Sequence, residues 1–446
     1  MRTKAARSRL SSELVTTTIS SLSHDGRGIA ILDDGKTTFV SGALPGETVT
    51  FKLTKKHPRY NEGEVVSVLL PSPDRTTPGC AHFGVCGGCS MQHMNMAAQI
   101  QLKQNVLLEQ LCHFGHVEPE NVMPPISGGT WGYRRKARLG VRFVEKKGRL
   151  LIGFREKSSH YLADITACPV LHPSVGERLP QLAELIKSLA QYEHIPQIEI
   201  AVGDNVTALV IRHLKPLPDD DLNKLKAFAQ MQQFHLYLQA NPPELISKLW
   251  PQDDNHRLSY ALSEYEIEME FHPLDFTQVN SETNPMMIRQ AVQLLEPQSS
   301  DTILDLFCGL GNFTLPIARS AKQVVGVEGS LEMVKRAQDN ASKNAITNTE
   351  FFSENLADIP ATHSAWMKRR YDKILLDPPR TGAKEIIAVF PNFKAERIVY
   401  VSCNPATLAR DAGELVHNQG YKLKQVGVIN MFPHTSHIEA ITLFEK

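Results

Sequence analysis

The feature that most constrains the fold is the alternation of strand-like and helix-like segments over residues 270–446. Four apolar runs, TILDLFCG, QVVGVEG, YDKILLD and RIVYVSC, are each followed by a helical pattern. Because parallel strands need a crossover connection, this alternation predicts an α/β domain with a doubly wound parallel sheet. Ligands of such sheets bind at the carboxyl ends of the strands, so we expect the functional residues there.

The first of these runs ends in a glycine-rich turn. Its residues from Asp305 onward read DLFCGLGNFT, and Glu328 ends the next run. Glycines permit a tight turn and the close approach of a nucleotide, and the carboxylate can accept the hydroxyls of a ribose. The pattern fits a dinucleotide site or an S-adenosylmethionine site. Thr314 replaces the third glycine of the dinucleotide fingerprint, which favours S-adenosylmethionine.

Two further motifs end the later runs. Asp377 begins D-P-P-R, in which two prolines restrict the loop, and Cys403 lies in S-C-N-P. Asn404 is a suitable N-cap and Pro405 a suitable first helical residue. We therefore expect a helix N-terminus to lower the pKa of Cys403 and favour its thiolate. Taken singly, D-P-P is more often a rigid turn, and a cysteine in a core strand is usually inert.

Glu439 lies in the segment HIEAITLF, just before a predicted strand. Alone it would be interpreted as a surface carboxylate, but beside a thiolate it becomes a candidate general base. One reaction uses all three groups: a thiolate adds to C6 of uracil, C5 attacks a methyl group, a base removes the C5 proton, and the thiolate leaves. Cys403 supplies the thiolate, Glu439 supplies the base, and Asp377 would hold the pyrimidine.

These ordered motifs, with DFTQVN at residues 275–280 ahead of them, resemble the RNA uracil-C5 methyltransferase family. The resemblance implies that Cys403 is the nucleophile, that Glu439 is the general base and that Asp377 positions the uracil or the cofactor. It also implies a Rossmann-like domain whose S-adenosylmethionine-binding residues are Gln278, Phe307, Asn312, Glu328, Asn355 and Asp377. We interpret Cys308, in the same crevice, as a packing residue near the cofactor.

The chain has seven cysteines and no apparent secretory leader, so metal binding or catalysis is expected rather than a disulfide framework. Three of them, Cys80, Cys86 and Cys89, lie in a glycine-rich loop. Cys168, followed by proline, is the best candidate for a fourth ligand, and Cys112 is the second. This spacing suits zinc or, better, a [4Fe–4S] cluster. The resemblance favours the cluster, because bacterial ribosomal members of the family carry one on this pattern.

The remaining regions complete a multidomain prediction. Residues 1–10 are expected to form a flexible tail. Short alternating strands over residues 11–70 predict an OB-like β-barrel, which resembles the RNA-binding TRAM domain; a generic β-module is the alternative. Mixed patterns over residues 75–265 predict a central α+β domain that carries the cysteine loop. Residues 270–446 would form the catalytic domain.

The segment over residues 131–160 holds ten basic and two acidic residues with interleaved aromatic residues. The whole chain has 48 basic and 48 acidic residues, which excludes binding driven by global charge. The local excess predicts a surface that follows an RNA backbone, and a merely solvated face is the alternative.

A TRAM domain together with a cluster implies, through the resemblance, a ribosomal member of the family. The expected partner is 23S ribosomal RNA, modified at uridine 1939, and we expect a cytoplasmic monomer without membrane contact. One alternative is the same chemistry on another 23S or transfer RNA uridine. Others are a non-catalytic RNA-binding iron–sulfur protein acting in ribosome assembly, and a dinucleotide-dependent oxidoreductase.

Overall fold

The computed structural model describes residues 14–240, 246–253, 257–358 and 364–446, so the predicted tail lies outside it. The chain forms two compact units. The first comprises the described residues up to Val106 together with Pro433–His437, and the second comprises Leu107–Phe432 and Ile438–Lys446. Within the described ranges, no helix is both long and apolar enough to cross a membrane.

The first unit contains a six-stranded, barrel-like sheet. Its strands are β1 (Leu14–Thr18), β2 (Ser21–Leu22), β3 (Gly28–Ile31), β4 (Thr37–Ser41), β5 (Thr48–Lys56) and β6 (Tyr60–Leu70). The spatial order is β1-β5-β6-β4-β3-β2, and all pairs are antiparallel except β4 with β6. Alternate residues such as Val49 and Phe51 are fully buried in its core, as the period of a half-buried strand requires. The expected small β-domain is confirmed.

A helix follows the cysteine loop. Helix α1 (Met96–Gln110) continues into a π-helical turn, Leu111–Gly115. His116 then adopts a left-handed conformation, with φ of 51°, and its N–H bonds back to the turn. Gly115 is required for close packing, because a Cβ there would lie 2.4 Å from the Ala409 carbonyl oxygen.

The second unit begins with the predicted α+β pattern. Its strands are β7 (Asn121–Val122), β8 (Lys136–Val144), β9 (Arg149–Gly153), β10 (Gln197–Val202), β11 (Thr207–Arg212), β12 (Phe234–Gln239) and β13 (Ile246–Trp250). Its helices are α2 (Pro173–Gly176), α3 (Leu179–Lys187) and α4 (Asp219–Gln232). Apart from β7, these strands form a sheet in the order β13-β12-β11-β10-β8-β9. A separate hairpin consists of β14 (Leu258–Leu262) and β15 (Ile267–Phe271).

An eight-stranded sheet completes the second unit. Its further strands are β16 (Thr302–Leu306), β17 (Gln323–Glu328), β18 (Thr349–Ser353), β19 (Lys373–Leu376), β20 (Arg397–Ser402), β21 (Lys422–Ile429) and β22 (Glu439–Glu445). The helices are α5 (Thr283–Leu295), α6 (Thr314–Ala318), α7 (Leu331–Lys343), α8 (Lys384–Ile387), α9 (Phe390–Phe393) and α10 (Pro405–Gly413). The order is β18-β17-β16-β19-β20-β22-β21-β7. Shorter 3₁₀ or π turns lie at Glu145–Lys147, Tyr192–His194, Ser263–Tyr265, Ala365–Lys368 and Glu414–Asn418.

The prediction of a wholly parallel sheet is wrong for one strand. β18, β17, β16, β19 and β20 are parallel neighbours, but β22 lies between β20 and β21 and is antiparallel to both. No crossover helix joins β21 to β22 across residues 430–438, and strands joined in this way pair antiparallel. As a result β22 begins at the edge where β20 ends.

Candidate active site

The strand register brings Cys403 and Glu439 to the same edge of the sheet. Ser402, the last residue of β20, pairs with Ala440 in the antiparallel β22. Cys403 follows Ser402 and Glu439 precedes Ala440, so the two residues lie side by side at the end of the ladder. Glu439 is 4% exposed. The antiparallel strand is therefore what places the predicted base beside the predicted nucleophile.

Asp377 reaches the same edge from the neighbouring strand. It follows β19, whose last residue, Leu376, pairs with Tyr400 on one side and with Leu306 on the other. Its backbone N–H donates to the Leu306 carbonyl at 3.3 Å. Asp377 is also close enough to Cys403 for its charge to act on the thiol. The structure thus brings together all three residues predicted to act in the chemistry.

The expected lowering of the pKa of Cys403 is wrong. Burial raises the pKa of this thiol, and the charges of Glu439 and Asp377 raise it further. Arg380 and a backbone hydrogen bond oppose this increase without cancelling it. Burial and two nearby carboxylates therefore outweigh the helix N-terminus, and the thiol is protonated at neutral pH before any ligand binds.

The predicted helix cap itself is confirmed. The Asn404 Oδ1 accepts a hydrogen bond from the Ala406 N–H at 3.1 Å, and Pro405 is the first residue of α10. The Asn404 Nδ2 also donates to the Arg380 carbonyl at 2.9 Å. This one side chain therefore caps the helix that follows Cys403 and contacts the loop that follows Asp377.

The glycine-rich turn has the backbone geometry of a ligand-binding loop. Phe307, Gly309 and Gly311 have φ angles of 63°, 56° and 95°. Glu328 closes the turn from β17, because its Oε2 accepts from the Gly309 N–H at 3.2 Å and its Oε1 accepts from the Ser330 N–H at 3.0 Å. The predicted ribose-binding carboxylate is thus held against the turn by backbone donors.

Two carboxyl groups, one buried and one partly buried, make this crevice suitable for a cation. Asp305 is 1% exposed, and its Oδ2 accepts from the Thr314 hydroxyl at 2.5 Å. Its other oxygen, Oδ1, has no hydrogen-bond partner within the part of the chain that the structure describes. Burial raises the pKa of Asp305 and of Asp377 to about 7 in each case, and the nearby charge of Asp377 adds to the shift of Asp305. A positively charged ligand such as S-adenosylmethionine fits these groups.

Asn312 forms hydrogen bonds with two residues that no sequence motif indicated, Tyr260 and Asn284. The Asn312 Oδ1 accepts from the Tyr260 hydroxyl at 2.8 Å and from the Asn284 Nδ2 at 3.2 Å. The Asn312 Nδ2 donates in return to the Asn284 Oδ1 at 2.9 Å. Tyr260 comes from the β14–β15 hairpin, so only the tertiary structure relates it to the glycine-rich turn. The Asn312 side chain thus joins the glycine-rich turn to Tyr260 and Asn284.

The remaining predicted cofactor residues occupy less defined positions. Gln278 is partly buried in a segment held at Asp275, whose Oδ2 accepts from the Arg336 Nε at 2.7 Å. Asn355 is exposed, and its Oδ1 accepts from the Ala357 N–H at 3.1 Å in a local turn.

Cys308 is a buried side chain that agrees with its interpretation as a packing residue. It is 5% exposed, and burial raises its pKa well above the ordinary value. A Cβ at Gly326 would lie 2.9 Å from its sulfur. The thiol therefore fills the space beside β17, and burial keeps it protonated.

The cysteine loop supplies thiols but not an assembled metal site. Cys80, Cys86 and Cys89 are partly buried, and the Gly88 N–H donates to the Cys86 sulfur at 3.4 Å. Cys168, in the other unit, donates its N–H to the Gly176 carbonyl at 2.9 Å, and Cys112 is exposed. Across the described ranges, no three His, Cys, Asp or Glu side chains are grouped so that they could hold a metal ion. The sulfur that accepts an N–H suits a thiolate ligand.

The basic segment is less positive than its composition indicates. Asp204 pairs with Arg135, Glu199 with Arg138 at 2.9 Å, and Asp164 with both Lys147 and Arg149. Burial lowers the pKa of Lys136 to about 8. Seven of the ten basic residues are exposed to solvent: Arg138, Arg142, Lys146, Lys147, Arg149, Arg155 and Lys157. Several of the predicted RNA-contacting charges are thus neutralised by protein carboxylates.

Comparison with known proteins shows which family the chain is similar to. The family model described as tRNA (Uracil-5-)-methyltransferase matches residues 96–446, and that of the TRAM domain matches residues 13–66. The 23S rRNA (uracil(1939)-C(5))-methyltransferase RlmD of Hahella chejuensis is 54% identical over 444 residues, which cover 99% of each chain. The protein of the same name from Nitrosococcus oceani is 53% identical over 441 residues, covering 99% of this chain and 98% of that one.

A solved structure shows the same fold. The Pyrococcus abyssi tRNA (uracil-54, C5)-methyltransferase, in complex with S-adenosyl-L-homocysteine, aligns with a TM-score of 0.72 and 22% identity. The alignment covers 96% of this chain and 100% of that chain. The resemblance drawn from the sequence motifs is confirmed: this chain belongs to the RNA uracil-C5 methyltransferase family.

Proposed function

We propose that this chain methylates C5 of a uridine in 23S ribosomal RNA, at position 1939, with S-adenosylmethionine as the methyl donor. The observation that carries the proposal is the placement of Cys403, Glu439 and Asp377 at one edge of the sheet. The relatives that match almost the whole chain are named for this reaction.

Each residue has one role in the proposed reaction. The cofactor supplies an electrophilic methyl group. The Cys403 sulfur adds to C6 of the uracil, which makes C5 nucleophilic. After methyl transfer Glu439 removes the C5 proton, and elimination of the thiolate restores the ring. Asp377 positions the reactants from the adjacent strand.

Electrostatics link ligand binding to activation of the nucleophile. The free site disfavours a thiolate, because the pKa of Cys403 is raised by burial and two carboxylates. A cation bound in the crevice offsets part of that negative charge and lowers the pKa of the thiol. Binding of the methyl donor would thus favour the thiolate of Cys403.

We propose that the cofactor is bound by Gln278, Phe307, Asn312, Glu328, Asn355 and Asp377. Glu328 and the backbone around Phe307 are supported by the geometry of the turn. The carboxyl groups of Asp305 and Asp377 suit the positive charge of the cofactor.

We also propose a structural [4Fe–4S] cluster on Cys80, Cys86, Cys89 and Cys168. Its support is the cysteine spacing, the family resemblance and the N–H donor at the Cys86 sulfur. No step of the proposed reaction is an electron transfer that would need a redox centre, so we propose a structural role for the cluster. Anaerobic purification followed by iron and sulfide analysis tests the cluster, and a colourless protein that holds one zinc ion would contradict it.

The domain roles follow from the same proposal. Residues 11–70 bind RNA, residues 75–265 carry the cluster, and residues 270–446 catalyse the reaction. The exposed basic residues of the segment over residues 131–160 contact the RNA backbone. We propose a monomer that acts in the cytoplasm, where ribosomal RNA is modified.

Covalent trapping tests the proposed chemistry and the substrate together. The chain and S-adenosylmethionine are incubated with 5-fluorouridine-substituted 23S fragments and, separately, with transfer RNA. Fluorine at C5 leaves no proton to remove, so the Cys403 adduct persists. An adduct with the 23S fragment that is lost in Cys403→Ala supports the proposal. An adduct with transfer RNA alone would mean that the substrate is transfer RNA rather than 23S ribosomal RNA. The absence of an adduct with both RNAs would contradict the catalytic function.

A further inference from the structure

Asp411 is a buried carboxylate in α10 that none of the proposed steps uses. It is 1% exposed. Its Oδ2 accepts from the Ala383 N–H at 2.7 Å and from the Tyr400 hydroxyl at 2.8 Å. Its Oδ1 accepts from the Arg410 Nε at 2.8 Å. Burying a charge is costly unless it is paired and hydrogen-bonded, and these donors meet that requirement.

The donors to Asp411 come from both sides of the active site. Ala383 belongs to the loop that follows Asp377, and Tyr400 lies three residues before Cys403 on β20. One carboxylate therefore holds the loop and the strand in a common position. Asp411 itself belongs to α10, the helix that follows Cys403 directly.

Other side chains of α10 hold the same loop, residues 380–383. The Asn404 Nδ2 and the Thr407 Oγ1 donate to the Arg380 carbonyl at 2.9 and 3.3 Å. The Arg410 Nη2 donates to the Thr381 carbonyl at 3.0 Å. Backbone groups throughout the loop are thus bonded to one helix.

The contact between loop and helix is too close for a side chain at Gly382. Its φ is 80°, and a Cβ would lie 2.6 Å from the Asp411 Oδ2 and 2.5 Å from the Arg410 Nη2. Because Gly382 has no Cβ and adopts a left-handed backbone conformation, the loop backbone can approach the buried carboxylate of Asp411. The geometry of the loop and the position of Asp411 therefore depend on each other.

We propose that Asp411 is a positioning residue that holds the loop of Asp377 and Arg380 in register with the nucleophile Cys403. This inference rests on the proposed function, because the register matters only if Cys403 attacks a bound base. Displacing a catalytic group by about 1 Å can slow a reaction about 100-fold even when the altered residue lies away from the chemistry.

The charges of Asp377 and Arg380 provide a second readout. Arg380 lowers the pKa of Cys403, while Glu439 and Asp377 raise it. Asp377 raises the pKa of Cys403 more than Arg380 lowers it, so displacing the loop that carries both residues lowers the pKa of the thiol. This change can be measured by alkylation of the thiol and needs no RNA.

The test compares Asp411→Asn with Glu385→Gln, which neutralises an exposed carboxylate in α8. Asn keeps the shape of Asp411 but presents an amide donor to groups that themselves donate. For Asp411→Asn we expect adduct formation with 5-fluorouridine RNA to slow by about 10- to 100-fold. We expect S-adenosylmethionine affinity to change by less than about threefold and the pH midpoint of Cys403 alkylation to move downward, as positioning without loss of the site requires.

If Asp411→Asn does not fold, the variant Tyr400→Phe tests the same inference. It removes one donor to the carboxylate and leaves the charge in place, so we expect the same two changes to a smaller degree. Wild-type trapping and an unmoved alkylation midpoint in both variants would overturn the inference. If the wild-type chain forms no adduct, the proposed function fails instead, and the alkylation midpoint still decides whether Asp411 holds the loop.

Discussion

At the scale of single residues, the site is defined by charges placed close to a buried thiol. Cys403 follows a strand and precedes a helix N-terminus, a position that by itself favours a thiolate. Burial and the carboxylates of Glu439 and Asp377 reverse that preference. The nucleophile is therefore protected as a thiol until the electrostatics of the crevice change.

Removing the charge of Glu439 should make Cys403 more reactive toward a small alkylating reagent. In Glu439→Gln the carboxylate no longer opposes the thiolate, so the pKa of Cys403 falls and iodoacetamide reacts faster at about pH 7. Peptide mass spectrometry after timed quenching measures the rate at Cys403. Glu385→Gln serves as the control. An unchanged rate would mean that Glu439 does not act on the thiol.

Asp305 should make stability depend on pH. Its pKa rises from 3.8 to about 7 in the folded chain, so its contribution to stability is fully present below about pH 4 and is lost as the pH rises through 7. Asp305→Asn lacks this loss. We expect the variant to gain free energy of unfolding relative to wild type between about pH 5 and about pH 8, by roughly 1.4 kcal/mol per pKa unit at most.

Urea unfolding at the two pH values measures this gain, with Glu385→Gln as the reference. A difference between Asp305→Asn and wild type that does not grow with pH would contradict the raised pKa.

At the scale of elements, a helix and an antiparallel strand meet at the end of β20. β22 begins there because it pairs antiparallel with β20, and α10 begins there because Asn404 caps it. Cys403 thus lies between the end of β20 and the start of α10, beside the first residue of β22.

Two helix caps provide a matched pair of substitutions. Asn404 caps α10, and Ser330 caps α7 through an accepted bond from the Met333 N–H at 3.4 Å. We expect Asn404→Ala and Ser330→Ala each to cost about 1 kcal/mol of stability. Only Asn404→Ala should also slow trapping of 5-fluorouridine RNA, because its side chain additionally holds the Arg380 carbonyl. Equal trapping rates in the two variants would show that this cap does not order the site.

At the scale of the whole molecule, charge is distributed as local pairs. The chain has equal numbers of acidic and basic residues, and carboxylates neutralise several of the basic residues over residues 131–160. RNA binding should therefore depend on the exposed basic residues of the segment that no carboxylate neutralises, rather than on its composition.

Arg142 and Arg135 test this distinction. Arg142 is exposed, whereas Arg135 pairs with Asp204. We expect Arg142→Gln to weaken 23S fragment binding and to reduce the slope of log affinity against log salt by about 1. Arg135→Gln should leave that slope nearly unchanged. Fluorescence anisotropy at several salt concentrations measures both slopes, and equal slopes would contradict a phosphate contact at Arg142.

Motif order and local periodicity were enough to predict much of the architecture. Alternating patterns predicted the barrel-like sheet and the parallel strands β16, β17, β19 and β20. These features follow from side-chain period, turn residues and caps, which act between residues close in the chain. The family resemblance also came from sequence alone, because its motifs are contiguous.

The features that only the tertiary structure decided depend on residues distant in sequence. The antiparallel pairing of β22 brought Glu439 to Cys403, and hydrogen bonds across the fold joined Tyr260 to Asn312 and loop 380–383 to Asp411. No periodicity encodes such pairings. The pKa of Cys403 was misjudged for the same reason. The sequence determined that a cysteine precedes a helix, but burial and charge from other strands decided its protonation, because electrostatic energy depends on distance and solvent exposure in space.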